Sequence, residues 1–141
     1  MGNTLRVGDK ALLRKAFTED EVVRFADISA DKNPLHLDKD FGAASIFGQR
    51  IVHGMLVASL FSGLIGMELP GPGSIYLGQS LTFKAPVAID EQVTASVEII
   101  DIRQDKPIVT LKTICINSEG TVVIEGEAVV KAVMPNPHGR I

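Results

Sequence analysis

Gly54-Met55-Leu56-Val57-Ala58-Ser59-Leu60-Phe61-Ser62-Gly63-Leu64-Ile65-Gly66-Met67 is an uncharged, strongly hydrophobic run that ends at Glu68-Leu69-Pro70. A helix here is apolar on all sides, which predicts burial all round. Even when extended back to Ile51 it is short, and Ser59, Ser62 and the glycines interrupt it, so a buried helix explains it better than a membrane span. Gly54, Ala58, Ser62 and Gly66 form a stripe of small residues at four-residue spacing. A sheet, another helix or a slender ligand chain can approach along that stripe, and simple close packing accounts for it equally.

Beyond Pro70-Gly71-Pro72-Gly73 the hydrophobic period changes to two. Ile75, Leu77, Leu81 and Phe83 are expected on one face of a strand, with Tyr76, Ser80, Thr82 and Lys84 on the other. Val93, Ala95, Val97 and Ile99 repeat the pattern, and the phase switch to Ile100 and Ile102 predicts a bulge. Turns at Gln104-Asp105-Lys106-Pro107 and Asn117-Ser118-Glu119-Gly120 delimit strands from Ile108 to Ile116 and from Thr121 to Val133. In the last, Val122, Ile124, Ala128, Val130 and Ala132 share a face. Lys10 to Ala16 supplies an edge strand. Thr18 with Glu21 matches a capping box opening a helix from about Glu19 to Ser29, and Asp38 caps a short turn over Lys39 to Ala44. The order of elements predicts an α+β domain, an antiparallel sheet packed on a buried helix.

Between these helices lies Ser29-Ala30-Asp31-Lys32-Asn33-Pro34-Leu35-His36. Pro34 lacks an N–H and pushes Asn33 out of the α region, so Asp31 and His36 are expected to project from a loop, with Asn33 bonding its backbone. An aspartate and an imidazole that reach one substrate can shuttle protons near neutral pH. From spacing alone the blander reading is favoured: Asp31 caps the next turn and His36 is a satisfied, partly buried histidine. Gly54 opens the long helix, where its backbone N–H is free to donate and no side chain obstructs a ligand, although a good helix start needs no more than this. His53 either lines a site or orients the turn by a side-chain hydrogen bond.

The run Phe25-Ala26-Asp27-Ile28-Ser29-Ala30-Asp31-Lys32-Asn33-Pro34-Leu35-His36 resembles the signature of the MaoC-like, (R)-specific (type-2) enoyl-CoA hydratases. The resemblance continues through Ile51-Val52-His53-Gly54-Met55, Gly73-Ser74-Ile75-Tyr76-Leu77-Gly78-Gln79 and the C-terminal strands. Two positions depart from it: Ala30 where the family favours glycine, and Gly42 where alanine or serine is usual. Both touch loop geometry and remove no reacting group. The resemblance implies a hot-dog fold, a curved antiparallel sheet wrapped around a central helix, assembled as a homodimer. It implies reversible hydration of trans-2-enoyl-CoA to (R)-3-hydroxyacyl-CoA, as in supply of polyhydroxyalkanoate synthesis from β-oxidation. Asp31, His36 and Gly54 then form the catalytic set, with Asp31 as base and His36 as partner or the reverse. Asn33, His53, Ser62, Ile65 and Val130 are candidate substrate contacts. An acyl-CoA thioesterase and a non-catalytic acyl-thioester-binding protein are the alternatives.

The chain has 141 residues, 45% of them hydrophobic, consistent with a single domain over 1–134 followed by a flexible Pro/Gly/Asn-rich tail over 135–141. A formal net charge of −3 gives no broad cationic surface for nucleic acid or anionic lipid. No N-terminal apolar stretch suggests export, so a cytoplasmic enzyme that does not engage membranes is expected. Cys115, the single cysteine, sits in a strand-like run and is expected to be a buried small hydrophobe. A metal reading would collect Asp31, His36, Asp38 and His53, but no H-x-x-x-H or Cys/His spacing supports it and hydration needs no metal. No phosphate-binding or dinucleotide loop is present. No cofactor is expected beyond the coenzyme A of the substrate, whose phosphates would be met by scattered cations among Arg50, Lys84, Arg103 and Lys106, each also readable as an ordinary solvated charge.

Overall fold

The computed structural model describes residues 4–132; the expected tail over 135–141, and residues 133–134 before it, lie outside the described residues. The elements run β1 (Lys10–Ala16), α1 (Glu19–Ser29), α2 (Pro34–Leu37), α3 (Lys39–Ala44), α4 (Gly54–Met67), β2 (Ile75–Gln79), β3 (Thr82–Phe83), β4 (Gln92–Ile102), β5 (Ile108–Asn117) and β6 (Val122–Lys131). One antiparallel sheet has the order β1-β4-β5-β6-β2, with β3 also pairing with β6, and it curves around α4 as expected of a hot-dog fold.

Period-two patterning forms the sheet's inner face. Val93, Ala95, Val97 and Ile99 of β4 join Val109, Leu111 and Cys115 of β5 and Ile124, Ala128 and Val130 of β6 in one cluster with Val57, Leu60, Phe61, Leu64 and Ile65 of α4. Burial of each such side chain contributes about 1.5–3 kcal/mol, so this helix-on-sheet contact is the main source of stability. Cys115 is fully buried, and burial pushes its thiol up to about 12. Among the described residues no helix is long and apolar enough to cross a membrane.

The capping box at Thr18 is present, with Glu21 N donating to Thr18 Oγ1 at 3.2 Å and Thr18 N donating to Glu21 Oε1 at 3.0 Å. The bulge in β4 falls between Ile99 and Asp101. Three expectations need correction. First, α4 is not buried all round: Met55, Ser59, Ser62, Gly63 and Met67 are exposed, because a sheet on one side of a helix covers only the residues facing it. Of the small-residue stripe, Ala58 is buried while Ser62 is open. Second, the alternation from Ile75 to Phe83 does not hold as one strand. A bulge between Tyr76 and Gly78 and the break at Ser80-Leu81 divide it into β2 and β3, and Ile75, Tyr76, Leu77 and Phe83 are all exposed on this outer strand. Third, a register shift opposite Cys115 and Ile116 buries Val123 as well as Ile124, leaving Val122 only half-buried.

The two departures from the family signature have local consequences. Ala30 caps α1 in the left-handed region with φ 66°, where a β-carbon is penalised and glycine is not. At Gly42 the backbone of the next loop passes so closely that a Cβ would lie 2.6 Å from Arg50 N and 2.8 Å from the Gln49 carbonyl carbon. Ala30→Gly is therefore expected to raise the urea midpoint, by about 1 kcal/mol or less of stability once the greater freedom of unfolded glycine is subtracted. Gly42→Ala is expected to lower it by roughly 1–3 kcal/mol, because backbone rather than a movable side chain must yield. Equilibrium urea unfolding of both variants against wild type checks the opposite signs.

Candidate active site

Asp31 follows the left-handed cap of α1 and is held by short-range bonds. Its N–H donates to Ser29 Oγ at 3.1 Å, and its Oδ1 accepts from Asn33 N at 3.2 Å. Asn33 Oδ1 in turn accepts from Leu35 N at 2.9 Å, capping α2 with Pro34 in its first turn. His36 thus rides on a helical turn rather than a loop, a correction with a clear cause: Pro34 stops α1 from continuing but suits the start of a new helix. Asp31 remains in the connecting segment.

His36 is buried, and its Nδ1 lies 2.8 Å from Ile51 O. A carbonyl oxygen has no hydrogen to give, so Nδ1–H donates and Nε2 is left with a lone pair in the neutral ring. That Nε2 lies 4.0 Å from Asp31 Oδ2, with the histidine side chain 9% exposed and the aspartate 50% exposed. The same logic applies to His53, whose Nε2 donates to Asp31 O across 3.0 Å. Its ring stacks on His36 at 3.9 Å with planes 27° apart, and Phe25 meets it edge-on at 4.9 Å. Burial, and secondarily the neighbouring His36, hold the His53 pKa below the usual histidine value, against the hydrogen bond and charge of Asp31. Asp31, His36 and His53 each offer one possible ligand atom within 4.8 Å of the others. Stacking runs the in-plane lone pairs of the two rings side by side, whereas ligation of one ion needs them to converge.

A cleft of ≈ 440 Å³ opens beside this cluster, lined by Asp31, Ile51, His53, Gly54, Phe83 and Lys84 among others. Gly54 begins α4, so its N–H belongs to the orphan donors at a helix N-terminus. A Cβ there would fall 2.7 Å from the Phe83 ring. The apolar walls come from Phe47, Val52, Val57, Ala85, Pro86, Val87 and Ile124. Val52 N donates to Val87 O at 2.7 Å, which ties the segment before α4 to that wall.

The structure therefore gathers Asp31, His53 and Gly54 on the cleft, with His36 packed against the first two. Asn33 serves as the cap of α2 and is not on the cleft walls. Ser62 faces outward on α4, whereas Ile65 and Val130 lie in the core cluster, and none of the three lines this cleft. Asp38 caps α3 through Asp40 N and Phe41 N and stands apart from the cluster of ionisable groups. Of the candidate cations, Arg50 is paired with Glu19, Lys84 with Glu125 and Arg103 with Asp105. Lys84 lies at the cleft. Sequence reasoning missed Phe83 and the Ala85-Pro86-Val87 wall. The one available signal was Pro86, which breaks the strand pattern and so brings a non-strand segment against the helix start.

Known proteins of similar sequence and fold identify the family. Residues 5–118 match the model of the MaoC like domain. The chain is 57% identical to the (R)-specific enoyl-CoA hydratase of Aeromonas caviae over 128 residues, covering 91% of this chain and 96% of that protein. It is 45% identical to the (R)-specific enoyl-CoA hydratase of Rhodospirillum rubrum over 126 residues, covering 89% and 87%. A solved (R)-hydratase from A. caviae involved in PHA biosynthesis superposes with a TM-score of 0.91 at 55% identity, covering 94% of this chain and all of that one. With the match running through most of its length, this chain belongs to the MaoC-like dehydratase family.

Proposed function

We propose that the protein is an (R)-specific enoyl-CoA hydratase, a hydro-lyase that interconverts trans-2-enoyl-CoA and (R)-3-hydroxyacyl-CoA. The observation that carries the mechanism is the 4.0 Å separation of Asp31 Oδ2 and His36 Nε2 beside the helix start at Gly54. Two acceptors 4.0 Å apart can each take a hydrogen bond of about 2.8 Å from the same water, whose oxygen lone pair is then directed away from them towards C3 of the substrate. As the C3–O bond forms, one water O–H breaks and its proton passes to the pair. The C2=C3 π electrons move into the thioester as an enolate, and the Gly54 N–H steadies that oxygen. The proton held by the pair is returned to C2, which restores both side chains. Asp31 is assigned as principal base, and the proton it takes reaches His36 Nε2 by relay through the new C3 hydroxyl, which accepts from Asp31 as it gives its own hydrogen to His36. His36, which also orients the water, then delivers that proton to C2, and exchanging the roles uses the same atoms.

The scheme consumes water and thioester alone, so coenzyme A enters as part of the substrate with no separate cofactor or metal. An acyl chain extended from Gly54 along the outer stripe of α4 meets Ser62, while Ile65 and Val130 act on it through the packing beneath. The exposed stripe of α4 and the outer strand residues Ile75, Tyr76 and Leu77 support a homodimer, to be checked by sedimentation equilibrium. The (R) product suits a cytoplasmic role in supplying polyhydroxyalkanoate synthesis, and the similar A. caviae (R)-hydratase is described as involved in PHA biosynthesis.

With crotonyl-CoA, wild type is expected to abolish the enoyl-thioester absorbance without releasing thiol. Asp31→Asn and His36→Ala are each expected to lower kcat by ~10²–10⁴-fold while remaining folded. Thiol release would instead mark a thioesterase, and binding with no spectral change a non-catalytic acyl-thioester protein. Gly54→Ala is expected to fold, since the half-exposed Phe83 ring can swing aside, yet to lose on the order of 10²-fold in kcat as its methyl group obstructs the oxyanion's approach. Stopped-flow rates at saturating crotonyl-CoA, beside circular dichroism, separate that outcome from unfolding.

A further inference from the structure

His53 is 2% exposed, and its Nδ1 is, among the described residues, the buried side-chain polar atom without a hydrogen-bond partner. It occupies the cap position of α4 yet makes no side-chain capping bond, so its polar capacity is not directed to the helix start. The ring's one hydrogen bond goes to the main-chain oxygen of Asp31, 22 residues away. The other bonds made by the Asp31 segment are local: Asp31 N to Ser29 Oγ, Lys32 N to Ala30 O, and Asn33 N to Asp31 Oδ1. Asn33 O also accepts from His36 N at 3.0 Å, which ties the segment to His36 through the local chain, but none of these bonds ties Asp31 to the start of α4.

A second bond completes the pattern. His36 donates its Nδ1–H to Ile51 O, two residues before His53. Ile51-Val52-His53 therefore holds both halves of the pair, accepting a ring N–H from His36 at Ile51 and giving one to the Asp31 backbone at His53. The His53 face also lies against His36 at 3.9 Å. A neutral His53 ring serves this purpose best, because a protonated one would place a charge against His36 and bury an N–H at Nδ1 with no acceptor. Asp31 and His36 are the titratable groups acting on it, and the neighbour presented by α1 is the uncharged Phe25 ring.

We infer that His53 is a positioning residue for the hydration step: its Nε2–H fixes the Asp31 backbone, and thereby the separation at which Asp31 and His36 share one water. This rests on the hydratase reading and deepens it. Displacement of a reacting group by about 1 Å can cost 10²-fold in rate, so the clasp is expected to act on kcat more than on substrate affinity.

Two substitutions divide the contacts of His53. His53→Phe keeps an aromatic ring against His36 and loses the N–H, while His53→Gln keeps an N–H donor of similar reach and loses the ring. With crotonyl-CoA as probe, His53→Phe is expected to lose ~10²-fold in kcat with KM changed less than about threefold, and His53→Gln to recover to within about thirtyfold of wild type. A purely structural histidine would lower the melting temperature of both while leaving kcat per folded site unchanged, and that result overturns the inference. So does a loss in folded His53→Gln greater than about thirtyfold, which also serves as the deciding measurement where His53→Phe does not fold. A wild-type protein with no hydration activity would overturn the hydratase reading itself, whereas an active wild type beside a fully active His53→Phe overturns only the clasp.

Discussion

Seating α4 in the curve of the sheet is the contact on which everything else depends. Phe61, Leu64 and Ile65 pack on the inner faces of β4, β5 and β6, and this fixes the axis and therefore the end of the helix. The end is where the chemistry lies. Gly54 opens α4 into the cleft and His53 immediately precedes it, so the direction of the helix N–H groups is set by apolar packing some turns away. The backbone bond from Val52 to Val87 anchors the same point to the sheet side of the cleft. A disturbance deep in the core would thus be felt at the site through orientation rather than through contact.

The reacting side chains are supplied from the opposite direction, by short segments that do not belong to the helix-on-sheet layer. The capping box at Thr18 starts α1, the left-handed Ala30 ends it, and the Asn33-Pro34 cap then starts α2. Each device is local, and together they convey Asp31 and His36 to the start of α4. Two elements built independently meet across backbone carbonyls, with imidazole N–H groups running in both directions. Imidazole rings suit that junction, because they donate in the plane and stack across it.

Much of this was legible in the order of residues, for identifiable reasons. The bounds of α1, α3, α4 and β1 follow from caps, periodicity and flanking glycine or proline, all of which act over a few residues. The side chains of Asp31 and His36 come together because the cap at Asn33 and Pro34 folds the intervening chain locally. What was not legible depended on partners distant in sequence. The outer face of α4 reads as apolar, but which of its residues are covered depends on a sheet formed later in the chain. The broken strand from Ile75 to Phe83 looks continuous because a bulge and a two-residue gap preserve hydrophobic alternation while changing partner register on β6. Phe83 over Gly54 and the Asp31–His53 bond are tertiary facts with no spacing of their own.

One buried residue acquires a different meaning in the light of the substrate. An enoyl thioester is a conjugated acceptor, open at C3 to any soft nucleophile as well as to water, and a thiolate is the protein's strongest nucleophile of that kind. The single sulfhydryl of this chain lies near the end of β5, facing the core, where burial keeps it protonated far above physiological pH. The sheet that seats the helix thereby also shields the protein from alkylation by the compound it handles. Its reactive partner at C3 is restricted to the small, hard nucleophile that the cleft admits.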